Sequence, residues 1–166
     1  MNVAFLIIDV QKKYVELPDF KETYKAAIEY INYVSAIFRE ASQPVIHIRH
    51  VETNENLDDE NFQVDKAIVQ KDGDIYLNKH YGNGFWKTDL QKILEDKNVD
   101  YVICSGLSAT HCVLATYNGA IERGFNVSML QNGLVGRGWE EVNTVQKNFN
   151  IIGYNGIRYI LNLTKK

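Results

Sequence analysis

Apolar residues fall along this chain in short unbroken runs that alternate with longer stretches in which they recur at helical spacing. Val3 to Ile8 is continuously apolar and ends at Asp9, which predicts a strand covered on both faces, as the strands of parallel sheets are. From Phe20 to Arg39 the residues Tyr24, Ala27, Ile28, Ile31, Val34, Ile37 and Phe38 recur at helical spacing, and Gln43-Pro44 breaks the pattern, so a crossover helix is expected there. Val45 to Val51 reads as a second strand, and the polar, acidic stretch from Glu52 to Asp74 as a long loop with one poor helix. A short strand at Ile75 to Leu77 precedes Lys79 in a loop, and Thr88 to Asp96 reads as a helix with Leu90, Ile93 and Leu94 on its buried face. Asp100 to Ser105 is the next buried strand, closed by Gly106. Cys112 to Arg123 reads as a helix with Ser108 or Thr110 as N-cap and Gly124 just past its end. Asn126 to Leu130 is a strand, Trp139 to Phe149 a helix and Ile157 to Leu161 a last short strand.

Sustained alternation of this kind predicts a three-layer, doubly wound (Rossmann-like) α/β fold, with a mostly parallel sheet and helices on both faces. No repeat, low-complexity tract or Pro/Gly-rich linker divides residues 1–166, so a single domain is expected. In such sheets ligands bind beyond the carboxyl ends of the strands, where the strand order reverses. Asp9, Lys79 and the segment from Gly106 to Cys112 all fall at those ends.

Composition narrows the partners. With 18 Lys and Arg against 21 Asp and Glu, a net charge of -3 gives no electrostatic reason to expect nucleic acid or an anionic membrane. No apolar run approaches the roughly 20 residues that cross a bilayer. Two cysteines are too few for a disulfide framework, and the opening Met1-Asn2-Val3-Ala4-Phe5 lacks the charged and apolar regions of a secretory signal, so a cytoplasmic location is expected.

Among candidate reactive groups Cys112 stands out. A thiol in a first helical turn faces unsatisfied N–H groups and the positive end of the helix dipole, both of which favour thiolate, and a nearby Lys79 would lower its pKa further. The competing reading is a small buried hydrophobe, which is the reading adopted for Cys104 inside its apolar strand. Asp9 either caps the following helix or serves as the base that a thiol nucleophile needs. His111 adjoins Cys112, but helix neighbours point about 100° apart, which argues against it as the base. His47 and His50 lie on opposite faces of their strand and cannot share a metal, whereas His50 and Glu52 share parity. No glycine-rich phosphate cradle follows the first strand, which runs on as Val10-Gln11-Lys12-Lys13. No cofactor and no metal are expected.

Three stretches, taken together and in order, resemble the isochorismatase-like cysteine hydrolases. They are Leu6-Ile7-Ile8-Asp9-Val10-Gln11 with Tyr14, Lys79-x-Tyr81-x-x-x-Phe85-x-x-Thr88-x-Leu90, and Gly106-Leu107-Ser108-Ala109-Thr110-His111-Cys112-Val113. The resemblance implies an Asp-Lys-Cys triad of Asp9, Lys79 and Cys112, in which Cys112 attacks a carbonyl carbon and Asp9 shuttles its proton. It also implies a cis peptide between Leu107 and Ser108, an oxyanion hole near Ser108 and Cys112, and substrate contacts from Leu107, Ser108, Tyr14 and Phe85. A homodimer or larger homo-oligomer acting on a small molecule follows by the same likeness. Where nicotinamidases of this superfamily carry an Asp-x-His metal motif, this chain has Arg49-His50-Val51-Glu52. Gln131-Asn132-Gly133 likewise replaces the acidic residue and alanine usual after the fifth strand. The expected activity is cleavage of an amide-type C–N bond through a Cys112 thioester. The alternatives are a vinyl-ether hydrolase that does not need the thiol, and a non-catalytic binding or redox-sensing module.

Overall fold

In a computed structural model that describes residues 1–52, 56 and 58–162, the chain builds one parallel six-stranded sheet in the order β3-β2-β1-β4-β5-β6. Its strands are β1 (Asn2–Ile8), β2 (Val45–His50), β3 (Ile75–Lys79), β4 (Val99–Leu107), β5 (Asn126–Val135) and β6 (Ile151–Ile152). The helices are α1 (Lys12–Val15), α2 (Pro18–Glu40), α3 (Leu90–Asp96), α4 (Leu114–Ile121), α5 (Trp139–Asn148) and α6 (Tyr154–Ile160), with a 3-10 turn at Glu60–Phe62 and a π-helical turn at Ala109–Val113.

Strand β1 shows why the apolar run has no polar alternation. Ala4, Leu6 and Ile8 enter one core with Leu90 and Leu94 of α3, Tyr117 and Ala120 of α4, and Val142 and Val145 of α5. Val3, Phe5 and Ile7 enter the other with Ile31, Val34 and Phe38 of α2 and Ile157 of α6. Successive side chains of a strand point to opposite faces, so a central strand between two helical layers must be apolar at every position. The three-layer doubly wound arrangement is thus present, with every named pairing parallel. Among the described residues no helix is long and apolar enough to cross a membrane.

Several elements differ from expectation. Ile157 to Leu161 is not a strand: it lies in and just after α6, and the last strand is Ile151–Ile152. Ile157, Ile160 and Leu161 stand at i, i+3 and i+4, the helical period, and all three pack on the α2 side of the sheet. Lys79 is the last residue of β3, not a loop residue, and β5 runs five residues beyond Leu130. Helix α4 begins at Leu114, and the π-helical turn ahead of it carries Cys112. In the 52–74 segment the structure shows the 3-10 turn and an antiparallel bridge between Gln11 and Val64; positions 53–55 and 57 of that predicted loop lie outside the described residues.

One glycine determines how closely β1 and β4 approach. Gly106 has φ +103, and a Cβ built on it would lie 2.2 Å from the Ile8 carbonyl oxygen. Only glycine fits there without moving the strand end that carries Asp9.

Candidate active site

The strand order reverses between β1 and β4: the chain steps outward through β2 and β3, then returns to the other side of β1. The crevice beyond the carboxyl ends of β1 and β4 is where a doubly wound sheet places ligands. Asp9 follows β1 immediately, with φ 52, and its amide donates to the Ile48 carbonyl at 2.8 Å. Lys79 ends β3, and its side chain crosses beneath the end of β2 to place Nζ 2.8 Å from Asp9 Oδ2. The two side chains are 0% and 2% exposed. Cys112 reaches the same point from the turn after β4. Asp9, Cys112, Leu107, Ser108 and Tyr14 line one cleft of about 260 Å³ with Leu17, Phe20, His50, His111 and Arg137.

The electrostatics differ from the expected resting thiolate. Burial first, and then the Asp9 charge, push the Cys112 thiol up to about 12, against a smaller lowering by Lys79. Cys104 is pushed up to about 12 by burial alone. A position in the first helical turn therefore does not outweigh desolvation beside a carboxylate. Burial also raises the Asp9 carboxyl above its ordinary value, while the Lys79 charge and hydrogen bond oppose the rise. Asp9 Oδ2 is committed to Lys79, whereas Oδ1 is buried and has no hydrogen-bond partner among the described residues. Thiol and carboxylate are near enough to shift one another, yet no fully formed hydrogen bond joins them. The arrangement is a protonated thiol, an acceptor with an unfilled lone pair, and a fixed ammonium.

The peptide Leu107-Ser108 is cis, as the resemblance implies, and the backbone then enters the π-helical turn. Ser108 does not cap that turn with its side chain. Its hydroxyl instead donates to Glu141 Oε1 at 2.8 Å. The same oxygen accepts from the Thr110 hydroxyl at 2.6 Å and the Thr110 amide at 3.3 Å, while Glu141 Oε2 accepts from the Arg137 amide at 2.6 Å. Burial alone would raise the Glu141 carboxyl, but these donors together hold it below its ordinary range. Glu141 ties α5 to the loop that presents Cys112, and no motif in the sequence pointed to it.

Phe85 is not at the cleft. It is buried in the core on the α4 side, stacked on Phe125 with centroids 5.9 Å apart, and the Arg123 guanidinium lies 5.0 Å from its ring. Its place in the motif reflects packing of the chain after β3. Tyr14 does line the cleft, with its ring edge-on to His50 at 6.5 Å. His111 sits at the exposed mouth, with Nδ1 3.0 Å from the Thr110 hydroxyl and 3.2 Å from that of Ser108. His47 lies on the other face, 2.9 Å from Asp74 Oδ2, as strand parity requires. Leu17, Phe20, His50, His111 and Arg137 line the cleft without having been among the site residues expected from the sequence. Gln11, buried in the first motif, holds the His50 backbone: the side-chain oxygen accepts from the His50 amide at 2.7 Å, and the amide nitrogen donates to the His50 carbonyl at 3.1 Å and to that of Phe62 at 3.0 Å.

Comparison with known proteins places the chain in a family. Residues 3–153 match the isochorismatase domain family. The uncharacterized isochorismatase family protein YddQ of Bacillus subtilis (strain 168) is 27% identical over 142 residues, covering 80% of this chain and 77% of its own. The crystal structure of N-carbamoylsarcosine amidase from Thermoplasma acidophilum superposes with a TM-score of 0.79 at 21% identity, covering 92% of this chain and 95% of that one. A pyrazinamidase of Pyrococcus horikoshii, solved in complex with zinc, superposes at 0.75 with 18% identity over 92% of this chain and 99% of that one. In the present chain, among the described residues, no group of three His, Cys, Asp or Glu side chains is placed to hold such an ion. Asp9 and His50 are turned instead toward the Lys79 ammonium. With residues 3–153 matched by the family model, the chain belongs to the isochorismatase family of hydrolases.

Proposed function

We propose that this protein hydrolyses a small amide-type C–N bond, a carboxamide or ureido group, through a thioester on Cys112. The observation that carries this reading is the buried Asp9, one oxygen paired with Lys79 and the other unpaired, beside a thiol in a cleft. In the first step Cys112 Sγ bonds to the carbonyl carbon while its proton passes to Asp9. Such concerted transfer suits a thiol whose pKa is too high for it to rest as thiolate. The carbonyl oxygen takes up negative charge, and the backbone N–H groups of the turn from Ser108 to Cys112 are the donors available to it. Collapse breaks the C–N bond, and the Asp9 proton leaves with the amine. Water then attacks the thioester carbon and gives its proton to Asp9, which returns it to the departing sulfur. Lys79 stays protonated throughout, orienting Asp9 and supporting charge on the sulfur.

The cleft suggests more about the substrate. Leu17, Phe20, Leu107 and Tyr14 give it apolar walls, and about 260 Å³ suits a molecule of few heavy atoms. The Arg137 guanidinium lies over the Phe20 ring at 5.8 Å and makes no ion pair among the described residues. With Asp9 neutralised by Lys79, Arg137 favours a substrate with an anionic group opposite its scissile carbonyl. The test is release of amine or ammonia from a panel of carbamoyl and carboxamide compounds, with an acid quench to trap an acyl adduct at Cys112. Loss of turnover in Cys112→Ala is expected, and turnover retained by that variant would refute the mechanism.

A further inference from the structure

Lys79 has a second partner in the cleft. Its Nζ lies 3.3 Å from Nδ1 of His50, the last residue of β2, whose end lies between those carrying Asp9 and Lys79. An ammonium has protons to give and no lone pair, so this contact runs one way: Lys79 donates and Nδ1 accepts. A neutral imidazole that accepts at Nδ1 carries its proton on Nε2. Burial, and then the Lys79 charge, hold His50 below its ordinary value, with Lys13 acting in the same direction against Asp9 and Glu52. The neutral form is therefore the one present at pH 7. Nε2 has no hydrogen-bond partner among the described residues, yet it is not one of the sealed-off polar atoms, and His50 lines the cleft. Gln11 clamps the His50 backbone on both its amide and its carbonyl, which fixes where the ring can sit.

We propose that His50 is a positioning and substrate-binding residue: its Nδ1 accepts from Lys79 and so steadies the ammonium, and its Nε2–H is thereby turned to the cleft as a donor for a carbonyl or carboxylate oxygen of the substrate. The substrate half rests on the amidase reading, and the tautomer half does not. A ring held only by packing has no preferred tautomer and no directional link to Lys79, and the two accounts separate by experiment.

The first measurement is a long-range proton–nitrogen correlation spectrum of the uniformly 15N-labelled full chain at pH 7, with the His50 ring identified by its absence in His50→Gln. The pattern of a neutral Nε2–H tautomer is expected; an Nδ1–H tautomer or an imidazolium would overturn the proposal. The second compares His50→Asn, whose amide oxygen can stand where Nδ1 stood, with His50→Gln, whose amide reaches toward the place of Nε2. Alkylation of Cys112 by iodoacetamide at pH 8, followed by peptide mass spectrometry, reports how well Lys79 supports the sulfur. His50→Asn is expected to keep the wild-type rate within about twofold and His50→Gln to fall about tenfold, the lower range for losing a hydrogen bond to a charged group. Equal rates in the two variants, fast or slow, would overturn the link. If wild-type protein with the expected tautomer releases no product from N-carbamoylglycine or other carbamoyl probes, the amidase reading fails separately.

Discussion

Replacing Lys79 by methionine leaves the Asp9 carboxylate buried without a cation. The pair is 2.8 Å apart with both side chains out of water, so its Coulomb attraction is unscreened and its loss exposes the full desolvation cost of the remaining charge. Breaking such a pair costs about 3–5 kcal/mol, a large share of the roughly 5–15 kcal/mol that holds a domain folded. Neutralising both partners tells a different story, since Asp9→Asn with Lys79→Met removes both charges. Asparagine is the replacement of choice because position 9 has φ 52, which Asn tolerates better than an aliphatic side chain. The double variant is expected within about 1 kcal/mol of wild type, or above it, because two buried charges no longer need desolvation. The pH dependence has a definite sign. Burial raises the folded Asp9 above its ordinary 3.8, and Lys79 opposes that rise, so Lys79→Met raises it further. A carboxyl raised on folding costs stability above its folded pKa, and the cost disappears as pH falls through that value toward 3.8. The Lys79→Met deficit is therefore larger at pH 7 than at pH 5. Urea unfolding followed by circular dichroism, with midpoint and slope compared at both pH values, measures all three variants. A Lys79→Met protein as stable as wild type at pH 7, or a deficit that grows on acidification, would refute the reasoning.

Asp9→Asn alone should abolish turnover and yet speed alkylation of Cys112 at neutral pH, because the Asp9 charge raises the thiol and the Lys79 charge lowers it; peptide mass spectrometry reads the second effect, and slower alkylation would contradict it. Glu141→Gln leaves at least one of the donors from Ser108, Thr110 and Arg137 poorly paired, and kcat is expected to fall about tenfold, as for one hydrogen bond to a charged group, while the secondary structure seen by circular dichroism is retained. Gly106→Ala places a methyl 2.2 Å from the Ile8 carbonyl oxygen at φ +103; a loss of about 3 kcal/mol or more is expected in denaturant unfolding, and unchanged stability would show that the strand ends are looser than this contact implies. Arg137→Gln should raise KM about tenfold for anionic substrates and leave neutral analogues of the same size little changed, which steady-state kinetics on matched pairs would decide.

The alternation of strands and helices was readable in the linear pattern because β1 and β4 are apolar on both faces and α2 carries a continuous helical stripe. These are local consequences of where each residue must point. Asp9, Lys79 and Cys112 were legible as strand-end residues for the same reason, since topology assigns strand ends to one edge of the sheet. Short terminal elements were not: Ile157, Ile160 and Leu161 suit a helix or a strand, and only contact with the α2 layer made them helical. Nor could the motif that contains Phe85 distinguish a packing aromatic from a binding one.

What the order of residues determined by itself, then, was the periodicity, the layer architecture and the edge of the sheet on which the reactive groups stand. Tertiary structure alone decided the protonation of Cys112, the pairing of Asp9 with Lys79 beneath the end of β2, and the entry of His50, Arg137 and Glu141 into or around the cleft. The physical reason is that pKa values and hydrogen bonds depend on burial and on distances between residues far apart in the chain. Lys79 and Asp9 are 70 positions apart along the chain and 2.8 Å apart in space, and no local pattern encodes that approach.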